Sequence, residues 1–139
     1  MRNNLLLISS ALLFALSACS DQIVSSCDTA APPPFLMAKL SSIQEKILTP
    51  NCAVSGCHSG EFPQQNMSLE AGKSYGNLVN VASNESALLR IKPGASSESW
   101  LIRKLEGDGT TRMPLIGDPL TPAEIDTIRA WIDRGANND

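Results

Sequence analysis

The reactive side chains of this chain gather in one place, Cys52-Ala53-Val54-Ser55-Gly56-Cys57-His58. Two thiols with a histidine directly after the second can attach haem covalently. Each thiol adds across one vinyl group, and the histidine falls under the iron as proximal ligand. The usual gap between the cysteines is two residues, and here it is four. The extra residues must bulge outward, and Gly56 is the residue type that permits such a kink. His58 is the only histidine, so a second histidine ligand from the same chain is excluded.

A sixth ligand would then come from a soft donor elsewhere. Arg112-Met113-Pro114 lies in a loop rich in Gly107, Gly109, Gly117 and Pro119, so the Met113 thioether can return to the opposite face of the iron. Most methionines merely fill core gaps. Met37 is expected on the first helix, however, and Met67 is too close in sequence to His58 to reach the far side. A neutral thioether raises the potential and suits one-electron transfer, whereas peroxidase or oxygen chemistry needs an open position. Buried propionates need partners, for which Arg112 and the Trp100 indole N–H are the candidates. Arg90, Lys92, Arg103 and Lys104 read as solvated charge.

These residues need elements to carry them. Leu36, Leu40, Ile43 and Ile47 recur at helical spacing, which predicts a helix over 35–48 that stops at Thr49-Pro50. Thr121-Pro122-Ala123-Glu124 sets out an N-cap, a first-turn proline and a capping-box glutamate, with Leu120 and Ile125 as a hydrophobic staple. Ile125, Ile128, Trp131 and Ile132 form the buried stripe of that last helix, and Gly135 ends it. A third helix is expected over 97–105, ended by Gly107, and a fourth over 68–78, weakened by Gly72 and Gly76. Residues 78–81 and 88–91 read as short extended pieces. The remainder is long loops, which in a small domain carry function.

The chain of 139 residues divides into three parts. Residues 1–18 read as a secretory leader, with Arg2 before an apolar run too short to span a bilayer. Leu16-Ser17-Ala18-Cys19 resembles the bacterial lipobox, in which Cys19 would be acylated, and Ser20 after it favours the outer membrane over the inner. Residues 19–34 close on Pro32-Pro33-Pro34 and read as a tether. Residues 35–139 are the folded domain, with packing expected to end near Ala136. The net charge is −3, or −4 once Arg2 leaves with the leader, and there is no basic cluster, so nucleic acid is excluded as a partner. Aromatics are only 4% of the chain, so a large apolar cofactor is expected to complete the core.

The order from Thr49-Pro50-Asn51-Cys52 and Cys57-His58, through Ile91-Lys92-Pro93-Gly94, Ser99-Trp100-Leu101 and Arg112-Met113-Pro114, to Leu120-Thr121 and Trp131-Ile132, resembles the small bacterial monohaem cytochrome c domains. The resemblance implies an all-α, cytochrome c-like helical domain with long loops wrapped around one haem, its first and last helices crossing near the haem edge. It gives Cys52 and Cys57 to a single covalent haem c, His58 to the proximal iron position and Met113 to the distal one. It also implies an electron carrier rather than an enzyme, anchored by lipid and facing the periplasm, with periplasmic or membrane redox proteins as partners. Three other readings compete. They are a zinc site drawing on Cys27, a non-haem interaction lipoprotein stapled by a Cys52–Cys57 disulfide, and a haem enzyme subunit or sensor if Met113 does not ligate.

Overall fold

The first helix decides where Cys52 is presented. The computed structural model describes residues 35–139, within one compact unit, Pro32–Asp139. The expected leader, Cys19, Cys27 and the tether lie outside the described residues. Helix α1 has three parts, an α-helical turn Leu40–Ile43, a π-helical stretch Gln44–Leu48 and a closing turn Thr49–Asn51. It starts later than the apolar spacing predicts, because its first N–H groups find their partner at the far end of the chain. The Leu40 N–H donates to Asp139 Oδ1 (2.9 Å) and the Ser41 N–H to the Asp139 main-chain oxygen (2.8 Å). A carboxylate there also complements the helix dipole.

The expected stop at Thr49-Pro50 is corrected: α1 runs through Pro50 to Asn51. A proline inside a regular α-helix lacks an N–H and clashes with the carbonyl four residues back. Here the preceding π-turn widens the spacing, with the Thr49 N–H bonded to Gln44 O five residues back. Pro50 thereby occupies the first turn of the closing segment, where its missing N–H is tolerated.

Helix α2, Ser74–Leu78, is shorter than the expected 68–78. Gly72 is left-handed (φ +79°) and the Ser68 hydroxyl engages Glu70, so residues 68–73 turn instead. Helix α3, Trp100–Glu106, follows a 3-10 turn, Ser96–Glu98, and ends at left-handed Gly107. The break falls at extended Ser99, whose fully buried hydroxyl accepts from the Lys92 N–H (2.9 Å) and donates to Ala95 O (3.0 Å). Helix α4, Pro122–Asp133, carries the complete capping box of Thr121 and Glu124, with Leu120 and Ile125 both buried beside it. The extended pieces reduce to isolated bridges, Val79 with Ile91 and Ala82 with Leu89. The described residues are thus all-α.

The core joins all four helices: Ile43 and Ile47 from α1, Leu78 from α2, Ile102 and Leu105 from α3, and Ile128, Trp131 and Ile132 from α4. Trp131 is its only aromatic. Isoleucine and leucine supply most of the rest of it. Packing also continues past Ala136. Asn137 O accepts from the Trp131 indole N–H (2.9 Å), and Asp139 caps α1. No helix among the described residues is long and apolar enough to cross a membrane.

Candidate haem-attachment site

Cys52 is the residue at which α1 ends, with φ −123° and ψ −45°. The next residues leave the axis in a tight turn: the Ala53 N–H reaches Leu48 O (2.7 Å) and the Cys57 N–H reaches Val54 O (3.0 Å). Gly56 sits at φ +80° in this turn, where a Cβ would meet nothing within 4 Å. Its backbone angle, rather than crowding, is what calls for glycine. The His58 N–H then returns to Cys52 O (3.2 Å) and closes the loop at its base. The four intervening residues are absorbed as an outward bulge, with Val54, Ser55 and Gly56 exposed and Cys52, Cys57 and His58 half-buried.

Both thiols are free. Burial, with the neighbouring Cys57 in second place, pushes the Cys52 thiol up to about 11, so it is protonated at neutral pH. The His58 ring is held by the Met67 carbonyl, which faces Nδ1 at 3.2 Å. A carbonyl can only accept, so Nδ1 carries the proton and Nε2 keeps its lone pair. Burial pulls the His58 pKa down most strongly. Backbone hydrogen bonds from Met67 and Gln64 oppose this, and the nearby Arg90 and Lys104 charges add to the lowering. The net effect favours the neutral imidazole.

Met113 belongs to the loop after α3, and its N–H donates to Lys104 O (2.7 Å). The Lys104 ammonium pairs with Glu85 (3.1 Å), and its charge acts on His58. The methionine loop is thus hung from the residue that pairs with Glu85. Met67 is half-buried and engaged with His58 through its carbonyl, on the histidine's own side. Met37 precedes α1 instead of lying on it, and is exposed.

The two proposed propionate partners part company. The Trp100 indole N–H donates to Glu85 Oε2 (3.3 Å), within the group that surrounds Lys104. Arg112 is exposed, packs over Gly107, and lines a cavity of about 390 Å³ between α3 and α4 whose walls include none of Cys52, Cys57, His58 and Met113. Sequence reasoning missed Arg90, which is 8% exposed rather than solvated. It also missed the turn before Met67, where Gln65 (φ 56°) and Asn66 (φ 50°) are both left-handed. Only Asn66 carried a signal, because asparagine tolerates that region.

Comparison with known proteins gave no matching family model, no similar curated protein and no similar solved structure. The donor set must therefore be judged on its own chemistry. Two unbridged thiols and a histidine held through Nδ1 fit a covalently held haem. Exposed apolar side chains on the same two loops fit it too. Phe62 (85% exposed) follows the histidine, Val54 tips the bulge, and Leu115 and Ile116 (81%) follow Met113. Exposed large apolar side chains next to both candidate ligands are what a flat apolar cofactor would cover. Among the described residues no three of His, Cys, Asp and Glu converge on a metal, so a zinc site would have to draw on Cys27.

Proposed function

We propose that this chain is a monohaem c-type cytochrome, a one-electron carrier lipid-anchored through Cys19 and facing the periplasm, with Ser20 favouring the outer membrane over the inner. The observation that carries the reading is the state of residues 52–58, with two free thiols on a closed bulge and a following histidine whose Nδ1 is committed to Met67 O. Haem c supplies a one-electron iron couple when bound. Cys52 and Cys57 would hold the haem, each through one thioether bond made by adding its S–H across a vinyl group. His58 would hold the iron through Nε2, with Met67 O orienting the ring through Nδ1. Met113 would be the second iron ligand, a neutral thioether that would favour the ferrous state. The helices and loops then take the cytochrome c-like arrangement around one haem. Its partners are periplasmic or membrane redox proteins.

The test is the intact mass of the denatured mature protein, made with a c-type haem maturation system that accepts the four-residue spacing. One added haem supports the reading. An apo mass two hydrogens short reveals a Cys52–Cys57 disulfide and overturns it in favour of a stapled interaction lipoprotein.

A further inference from the structure

Beyond the effect of its charge on His58, Arg90 has had no role so far, yet it is the one cation among the described residues that is buried. It makes no ion pair there. Its guanidinium instead donates to two main-chain carbonyls from separate segments, Asn77 O through Nη1 (2.8 Å) and Gln65 O through Nη2 (2.9 Å). Keeping an unpaired cation buried is costly compared with an apolar residue of similar size. The hydrogen bonds it makes therefore indicate what it is there to hold.

The carbonyl of Gln65 accepts a second bond from Asn84 Nδ2 (3.3 Å), and the Gln65 side chain reaches Glu85 (3.4 Å). All of this converges on two consecutive non-glycine residues in the left-handed region. Such residues return to the ordinary region unless their surroundings hold them. The next residue is Met67, whose carbonyl faces His58 Nδ1.

We propose that Arg90 is the positioning residue for His58: its guanidinium pins the left-handed turn at Gln65 and Asn66, and so holds the Met67 carbonyl that fixes the tautomer and orientation of the imidazole. The assignment of His58 as iron ligand rests on the function proposed above, but the clamp is a property of the polypeptide itself. If the turn relaxes, the Met67 carbonyl swings away and Nδ1 loses its acceptor. The ring then populates both tautomers, and Nε2 is protonated in part.

His58 is the only histidine, so its ring nitrogens give a single, unambiguous pair of 15N signals. The experiment uses the full mature chain made without haem maturation. It is read at a pH where the imidazole is neutral. The parent should show the Nδ1–H tautomer. Arg90→Met should shift the tautomer ratio toward Nε2–H by about fivefold, the factor commanded by one hydrogen bond of ordinary net strength. Asn84→Ala, which removes the weaker donor to the same carbonyl, should shift it the same way by less. Adding Gln65→Gly and Asn66→Gly to Arg90→Met should return the ratio toward the parent, because glycine adopts the left-handed turn without being held.

An unchanged ratio in Arg90→Met overturns the proposal. Full retention in Arg90→Lys also overturns it, since charge alone would then suffice, and so does the absence of recovery in the glycine variant. If Arg90→Met does not fold, Asn84→Ala decides by the same criterion. Because no haem is present in this measurement, a failure of haem attachment would sink the cytochrome reading while leaving the clamp standing, and the reverse holds equally.

Discussion

Replacing Gly56 by alanine separates the conformation of the cysteine bulge from its packing. The φ of +80° is strained for any residue with a Cβ, while the space around that Cβ is empty to 4 Å. The whole effect is therefore backbone strain, roughly 1–2 kcal/mol for a non-glycine residue held left-handed. That is about a 5- to 30-fold loss in the ratio of folded to unfolded chain. Gly60 is the matched control, with φ +84° and equally empty surroundings, but beyond His58 and outside the bulge. In urea unfolding Gly56→Ala and Gly60→Ala should lose similar stability. In intact-mass analysis after haem maturation, only Gly56→Ala should lose attached haem, because relaxing φ opens the Cys57 N–H to Val54 O turn and the His58 N–H to Cys52 O closure. Equal attachment in the two variants would refute the argument that bulge geometry presents the thiols. Equal stability of Gly56→Ala and the parent would refute the strain itself.

Met113→Ala should open the sixth position, so that the ferrous protein binds carbon monoxide promptly where the parent does not. Slow or absent binding in the variant would remove Met113 from the ligand role. Ile132→Ala, at a side chain with 0% exposure, should cost about 2–5 kcal/mol by chemical denaturation. Glu85 is held below its ordinary 4.5 mainly by its hydrogen bond with Lys104. A carboxylate depressed in the folded state adds stability above pH 4.5 and loses it as pH falls through the folded value, so Glu85→Gln should be less stable than the parent at neutral pH. That gap should close on acidification below pH 4.5, and a gap that persists would show that Glu85 acts through something other than its charge.

How far the sequence could be read varied with how local the cause was. The last helix was legible to the residue, since Thr121, Pro122 and Glu124 act on one another within a single turn. The first helix was legible in its buried face, Leu40, Ile43 and Ile47, but not in its ends. Its start depends on Asp139 from the other end of the chain, and its passage through Pro50 on a π-turn that apolar spacing does not encode. Cys52, Cys57 and His58 were legible as a group because adjacency in sequence places them together. Gln65, Met67 and Arg90 were not, because the contacts that join them end on main-chain carbonyls, and a carbonyl has no residue type. Arg90 in particular reads in sequence like any surface cation, and only its burial sets it apart.

The π-helical stretch in α1 also sets the bearing of everything that follows it. A π-turn carries one more residue than the α-turn it replaces, and one residue is about 100° around a helix axis. With Ile43 and Ile47 fixed in the core, that additional residue in Gln44–Leu48 determines the compass direction in which Cys52 and the bulge leave the helix. Deleting a single residue there would leave a helix of ordinary pitch and a core still able to close, but with the thiols aimed at a different side of the molecule. Stability and aim are thus written into the same few residues by separate means, side-chain burial for the one and backbone count for the other.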